Sequence, residues 1–150
     1  MANTETTINA IMHPKPNETS IDIKKTIKAL ERNKFVVHYF ETGAEAVAYL
    51  KNRIQNKCVA IGDSRTLLEI GVHDALSEVN EDITDIQRPL PGESFRDTAL
   101  RTMGRDVFLT SVNALSQTGE MVNIDGTGNR VAASLFGSQE VFFVLGINKI

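Results

Sequence analysis

Residues 123–130 carry the side chains best suited to chemistry in this chain. The segment reads Asn-Ile-Asp-Gly-Thr-Gly-Asn-Arg and holds five polar side chains within eight residues: Asn123, Asp125, Thr127, Asn129 and Arg130. A helix-like run begins directly after it at Val131. Gly126 and Gly128 permit a tight turn, after which the free N–H groups of the first helical turn can face an anion. The pattern predicts a binding site for a small anion.

Each of these residues also has a simpler structural role. Gly126 and Gly128 can serve only the turn, because a lone Gly-x-Gly is a weak signal. Asp125 can accept a substrate hydroxyl or act as a base, or it can cap the helix. Arg130 can present a planar fork to a carboxylate or phosphate, or it can lie in solvent. The number of polar side chains favours a functional site, and capping is the safer role for Asp125 alone.

A second loop has the same context, since it follows a strand and precedes a helix. It contains Gly62, Asp63, Ser64 and Thr66. In a parallel sheet such loops emerge at the carboxyl ends of the strands, where ligands bind. We therefore expect the two loops to form the walls of one crevice. An antiparallel pairing of residues 121–124 with residues 107–112 would weaken this expectation.

Glu69 is a second candidate for a catalytic carboxylate. It lies one helical turn after Arg65, so an exposed ion pair within the helix is its simpler role. His13, His38 and His73 occur singly, without the spacing of metal ligands, so we predict no metal site. Cys58 is the one cysteine, and its apolar neighbours predict a buried strand thiol. No cofactor is predicted within this chain.

The alternation of segments predicts an α/β protein. Helices are expected from residue 23 onward and over 43–53, 65–70, 95–103 and 131–136. Strands are expected over 35–40, 59–62, 83–86, 107–112, 121–124 and 141–145. Near-continuous apolar strands between helices favour a parallel or mixed sheet covered on both faces. We predict a three-layer α/β/α Rossmann-like domain over residues 21–150.

The first twenty residues differ from the rest of the chain. They are polar and contain Pro14 and Pro16, which predicts an N-terminal arm or short helix followed by a linker. They also lack the basic start and apolar core of a signal peptide. A cytoplasmic protein is therefore the expectation.

Charge and hydropathy exclude two classes of partner. The net charge of −3 argues against a nucleic-acid partner, because binders of the phosphate backbone usually carry a basic face. No apolar run approaches the roughly 20 residues that span a bilayer. We expect neither nucleic-acid binding nor membrane insertion.

Two stretches resemble the LUD (lactate utilisation protein) domain family. One is Ser-Arg-Thr-Leu-Leu-Glu-Ile-Gly at residues 64–71, and the other is Asn-Ile-Asp-Gly-Thr-Gly-Asn-Arg at residues 123–130. The resemblance runs from about residue 20 to the last residue and implies the fold of ribose-phosphate isomerases and CoA transferases. It also implies a role around oxidation of L-lactate to pyruvate, alongside iron–sulfur subunits. The favoured hypothesis is an accessory or metabolite-binding subunit that holds a small anionic metabolite.

A second resemblance, to methylthioribose-phosphate isomerases, suggests an enzyme. Asn113 stands where those proteins have an acid, and it cannot take a proton at neutral pH. Ile124 stands where they have a lysine, which removes a phosphate-pairing charge. Asn113 is retained as a binding residue. The alternative hypothesis is an isomerase- or CoA-transferase-like enzyme acting on a phosphorylated or acyl small molecule, with Asp125 or Glu69 as its carboxylate.

The chain is also short compared with the family that it resembles. LUD proteins usually continue past the Asn-Lys-Ile segment at residues 148–150. The face of the final strand, residues 141–145, is therefore expected to lack its usual cover. Because exposed apolar surface tends to be buried by a partner, we expect a homo-oligomer or a docked subunit. A third hypothesis is a structural assembly subunit whose glycine segment is only a turn.

Overall fold

A six-stranded parallel sheet forms the centre of the protein. In the computed structural model, residues 21–150 are described in full and residues 3–9 by their backbone. The sheet strands are β1 (Asn3–Asn9), β2 (Val36–Phe40), β3 (Cys58–Ile61), β4 (Asp82–Asp85), β5 (Val107–Thr110) and β8 (Glu140–Gly146). Their order is β2-β1-β8-β5-β3-β4, and all neighbours run parallel. Two short strands, β6 (Ala114–Leu115) and β7 (Met121–Val122), pair as a separate antiparallel hairpin.

Helices cover both faces of the sheet. They are α1 (Ile23–Arg32), α2 (Gly43–Arg53), α3 (Arg65–Glu69), α4 (Val72–Ser77), α5 (Phe95–Arg101) and α6 (Asn129–Leu135), and a 3-10 turn spans Ile147–Lys149. Several of them begin at the caps that their sequences provide. Thr42 and Glu45, for example, form a reciprocal capping box at the start of α2.

The strands bury alternate residues on opposite faces. Val59, Leu109 and Phe142 pack in one cluster with residues of α2, α3 and α4. Ala60 and Phe108 pack in a second cluster with residues of α1 and α6. Because each face of a strand points into its own apolar layer, the strands read as continuous apolar runs. The predicted three-layer α/β/α fold is confirmed.

Residues 3–9 form a strand where the sequence predicts an arm or a short helix. β1 lies between β2 and β8 and pairs with both. Its sequence, Asn-Thr-Glu-Thr-Thr-Ile-Asn, has a single aliphatic side chain. It therefore lacks the apolar pattern by which the other strands are recognised, although threonine favours extended backbone. The linker predicted around Pro14 and Pro16, and His13 with it, lie outside the described residues.

Two further regions of the structure differ from the possibilities that the sequence suggests. Residues 121–122 pair with the hairpin strand β6 and not with β5, so the main sheet is wholly parallel. A short helix, α4, occupies a region for which no helix is predicted, directly after Gly71. Gly71 has φ +73°, a left-handed conformation that ends α3 and starts α4.

The final strand is covered, which is contrary to the expectation of an exposed face. β8 lies between β1 and β5, and every residue from Val141 to Gly146 is buried. Its side chains enter both apolar clusters. The exposed apolar side chains lie elsewhere, with Leu135 at 79% and Phe136 at 86% exposure. The expectation was wrong because a central strand of a parallel sheet is covered by helices on both sides.

Candidate functional site

The segment 123–130, here called the glycine loop, runs from the end of the hairpin into the first two residues of α6. Asp125 organises it: its Oδ1 accepts a hydrogen bond from Arg130 Nε at 2.6 Å, and its Oδ2 accepts one from the backbone N–H of Val131 at 2.8 Å. The second bond satisfies an N–H of the first turn of α6. Both oxygens of this carboxylate are therefore engaged, and its side chain is only 8% exposed.

Arg130 is fixed by its neighbours and retains one free nitrogen. Nη2 donates to Asn113 Oδ1 at 2.7 Å and to the carbonyl of Ile124 at 2.9 Å, and it also contacts Asp125 Oδ1. Nη1 makes no hydrogen bond with any residue that the structure describes. The side chain is 14% exposed. A guanidinium held this way is preorganised to receive one further acceptor.

The hydrogen bonds orient two amides beside Arg130. Asn113 Oδ1 also accepts from the backbone N–H of Ile124 at 2.8 Å, and Asn129 Oδ1 accepts from the Thr127 hydroxyl at 2.6 Å. Since both amide oxygens are occupied, the Nδ2 groups of Asn113 and Asn129 are left as donors. The site therefore offers three nitrogen donors: Nη1 of Arg130 and the Nδ2 atoms of Asn113 and Asn129.

The two loops meet in one open cleft at the carboxyl ends of β3 and β5. One lining residue, Asp63, comes from the β3–α3 loop, and another, Phe95, is the first residue of α5. The others are Asn113, which follows β5, and six residues of the glycine loop: Ile124, Asp125, Gly126, Thr127, Asn129 and Arg130. Asp63 is exposed, and its Oδ1 accepts from Gln87 Nε2 at 2.7 Å. The cleft thus carries two carboxylates and one guanidinium.

The two glycines of the loop differ in what they require. Gly128 has φ +76° immediately before α6, a backbone conformation that disfavours any other residue. Gly126 has no positive φ, and a Cβ atom built there meets nothing within 4 Å. A turn therefore accounts for Gly128, whereas Gly126 leaves space at the cleft.

Asn123 is brought close to the site without lining it. Its side chain is half-buried, and its buried Oδ1 has no hydrogen-bond partner in the part of the chain that the structure describes. Ser111 Oγ, which follows β5, is in the same state. Buried acceptors without partners are rare in folded proteins.

The remaining predicted residues lie outside this cleft. Ser64 caps α3, where its Oγ accepts from the N–H of Leu67 at 3.2 Å. Gly62 packs closely, because an added Cβ atom would lie 3.1 Å from the Phe108 ring. Thr66 is part of α3. Glu69 pairs with Arg65 at 2.8 Å, with both side chains largely exposed, and it is not among the cleft residues.

A second group of polar residues lies next to the cleft and was not predicted from the sequence. His73 Nδ1 lies 2.8 Å from Asp85 Oδ2, and Asp85 Oδ1 accepts from the N–H of Gln87 at 2.9 Å. These residues line a small hollow with Gly62, Ser64 and Arg88. His73 lies in α4 and Asp85 in β4, twelve positions apart, so no local sequence motif contains both residues.

Other reactive groups give no second centre. The pKa of the Cys58 thiol is raised, mainly by a hydrogen bond to Asp82 and also by burial. A raised pKa disfavours the nucleophilic thiolate. Among residues 21–150, no group of three or more His, Cys, Asp or Glu side chains could hold a metal ion. None of the helices in the described part of the chain is long and apolar enough to cross a membrane.

Comparison with known proteins places the chain in a family. Neither the curated proteins nor the solved structures contain a match to this chain. The family model of the LUD domain, by contrast, matches residues 23–150. The match covers most of the sequence and includes both loops of the cleft. This chain belongs to the LUD domain family.

Proposed function

We propose that this LUD domain binds a small organic anion in the cleft and serves as an accessory or metabolite-binding subunit in oxidation of L-lactate to pyruvate. Its partners in that role would be iron–sulfur subunits. The family supports the metabolic setting. One observation carries the choice of ligand: Arg130 lines the cleft, and Nη1 is the one nitrogen of its guanidinium without a hydrogen-bond partner among the described residues.

A carboxylate fits the donors at this position. One of its oxygens would accept from Arg130 Nη1, and the Nδ2 groups of Asn113 and Asn129 supply further donors in the same cleft. Charge-assisted hydrogen bonds of this kind are about twice as strong as neutral ones. Lactate and pyruvate both carry the required group.

Asp63 opposes this binding. Its carboxylate lies in the same cleft, and hydrogen bonding to Gln87 holds it there. Because like charges repel, an anion binds against this field, and the affinity is expected to be modest. This repulsion can be tested, because removal of the negative charge of Asp63 should tighten the binding of an anion.

The geometry gives no support to the enzymatic alternative. Asp125 has both oxygens engaged, so it is poorly placed to act as a base. Glu69 lies on the exposed side of α3 in a pair with Arg65. Neither candidate carboxylate of an isomerase- or transferase-like mechanism is free within the cleft.

Thermal-shift measurement with L-lactate tests the proposal. Ligand at 100 times its Kd adds roughly 2.7 kcal/mol of stability, which is readily seen for a domain of this size. We expect Arg130→Gln to lose the response and Asp63→Asn to reach the same response at lower ligand concentration. Arg65→Gln, a substitution at an exposed arginine, is the matched control and should respond like the wild type.

The outcome that contradicts the proposal is equally clear. If Arg130→Gln responds to L-lactate as strongly as the wild type, the ligand is bound elsewhere. If no variant responds, the protein does not bind L-lactate in this cleft. Asp63 is exposed, so Asp63→Asn keeps the test informative even if Arg130→Gln is poorly folded.

A further inference from the structure

An apolar groove runs between α5 and α6, beside the cleft. α5 supplies Phe95, Ala99 and Leu100 to its lining, Met103 follows just past the end of that helix, and α6 supplies Ala132. Phe95 and Leu100 are about half exposed, at 51% and 52%. The groove has a volume of about 460 Å³, which is an ordinary size for a small-molecule site.

The groove is continuous with the cleft. Phe95, Thr127 and Asn129 line both of them. A ligand whose carboxylate is held by Arg130 in the cleft can therefore extend past Phe95 and lie between the two helices. The cleft alone has a volume of about 370 Å³, so a molecule as small as L-lactate fills only part of the connected space.

The polar groups of the groove lie at the end that it shares with the cleft. The Thr127 hydroxyl is already engaged with Asn129 Oδ1, at 2.6 Å. Arg96 is the one charged residue of the lining, and it has no ion pair with any residue that the structure describes. As the second residue of α5, next to Phe95, it lies at the cleft end, where a cation favours a carboxylate.

The opposite end of the groove is suited to an alkyl chain. Its lining there consists of Leu100, Met103 and Ala132, none of which has a charged or hydrogen-bonding side chain of any strength. Ala132 is exposed and has only a methyl group, which leaves room between the helices. Contact between such a surface and an alkyl chain is favourable in proportion to the apolar area removed from water.

We propose that the cleft and the groove together bind a carboxylate with a linear alkyl chain of several carbons, and that the groove selects for this chain. The inference rests on the proposed function, because Arg130 in the cleft is the group that holds the carboxylate. L-lactate makes only the contacts of the anionic end. A longer acid makes the same contacts and adds those of Leu100, Met103 and Ala132.

The affinities of a series of 2-hydroxy acids test the proposal. L-lactate and the L forms of 2-hydroxybutyrate and 2-hydroxyhexanoate share the carboxylate and the hydroxyl group, and they differ in chain length. A fully buried methylene raises affinity about fourfold, and an open groove covers roughly half of the chain, so we expect about twofold for each added methylene. The expected difference between L-lactate and 2-hydroxyhexanoate is therefore about eightfold.

Amide NMR titration of the isotope-labelled protein measures each Kd and locates the chain. We expect the amides of Leu100 and Ala132 to shift with 2-hydroxyhexanoate and much less with L-lactate. Gluconate has as many carbons as 2-hydroxyhexanoate, but hydroxyl groups along its chain. It is the matched control and should bind no more tightly than L-lactate.

Two substitutions separate the groove from the cleft. Ala132→Gln narrows the groove with a polar side chain, and Leu100→Ser removes an apolar contact; both positions are exposed, so the core is preserved. Each should reduce the ratio of the affinity for 2-hydroxyhexanoate to that for L-lactate towards one. Leu68→Ser, at an exposed leucine of α3 outside the groove, is the control and should keep the eightfold ratio.

The outcomes distinguish this inference from the proposed function. Equal affinities for L-lactate and 2-hydroxyhexanoate would overturn the inference alone. So would a preference for the longer acid that survives in both Ala132→Gln and Leu100→Ser. If, in addition to equal affinities, Leu100→Ser lowers the mass measured by light scattering, the groove holds a second copy of the chain.

Two other results would overturn both proposals. One is binding of 2-hydroxyhexanoate to Arg130→Gln as tightly as to the wild type, because the carboxylate is then not held in the cleft. The other is the absence of binding by every acid of the series.

Discussion

The Asp125–Arg130 pair determines what the glycine loop can do. Sequence alone leaves each partner with two roles, and the structure joins them: the carboxylate caps α6 and at the same time holds the guanidinium. Asp125 is therefore a structural group, whereas Arg130 keeps a donor for a ligand. The sequence identifies both residues, but it cannot show that Asp125 uses one of its two oxygens to bind Arg130.

The pair also makes a measurable contribution to stability. We expect Asp125→Ala to cost about 3 kcal/mol, more than the roughly 1 kcal/mol of a lost cap, because the largely buried charge of Arg130 then loses its opposite charge. A double-mutant cycle of Asp125→Ala and Arg130→Ala, followed by urea unfolding, should give a coupling energy above about 1 kcal/mol.

The exposed pair Arg65–Glu69 is the matched control for this cycle. Exposed pairs of this spacing contribute about 0.3–0.5 kcal/mol. A coupling energy for Asp125 and Arg130 no larger than that of the control would show that the pair does not hold the loop.

The segment that leads into α5 is tied down by an ion pair. Arg101, in the last turn of α5, donates two hydrogen bonds to Glu93, at 2.5 and 3.0 Å, and the N–H of Leu90 donates a third at 2.9 Å. Glu93 is 10% exposed. This contact fixes the start of α5, where Phe95 lines the cleft.

The same pair predicts a loss of stability in acid. Arg101 is the main cause that lowers the pKa of Glu93 from 4.5 to about 2. Because the pKa is lower in the folded state, the stabilisation is fully present above pH 4.5 and disappears as the pH falls towards 2. Glu93→Gln should therefore flatten the dependence of unfolding free energy on pH in this window, measured by urea titration. A pH dependence that stays as steep in Glu93→Gln as in the wild type would contradict the assignment.

The strands that are easiest to predict from the sequence are those buried on both faces. β3, β5 and β8 read as apolar runs because both faces are covered. β1 is polar in sequence and takes its place through backbone pairing with two neighbours, which no local pattern reveals. β6 has two residues, too few to show a period, whereas β7 lies within the strand predicted over 121–124.

The candidate site divides in the same way. Its glycine loop is contiguous in sequence and could be recognised from its composition. The cleft also includes Phe95, about thirty residues away, and its neighbour contains His73 and Asp85, which only the folded sheet brings together. When a site is assembled from the ends of separate strands, its residues have no characteristic spacing in the sequence.

The apolar surface of the whole molecule bears on its assembly. Leu135 and Phe136 are exposed at the end of α6, and Phe95 and Leu100 of α5 are about half exposed. Exposed apolar groups of this kind favour association. We expect the protein to form homo-oligomers at micromolar concentration, measured by light scattering, and the double substitution Leu135→Ser and Phe136→Ser to lower the mass towards that of the monomer. Leu68→Ser, at an exposed leucine on α3, is the control, and a monomeric wild type would contradict the expectation.

The position of β1 has a consequence for how the chain folds. Among the described strands, β2 joins the sheet through β1 alone, and β1 joins it through β8, so residues 3–9 must find residues 140–146 before the sheet is complete. Contacts this distant in sequence form late and slow folding, because the intervening loop must close first. During synthesis, β2 and α1 emerge early but remain unattached to the sheet until β8 has left the ribosome. The chain is thus expected to complete its native sheet only after translation of β8, and not progressively as each strand is made.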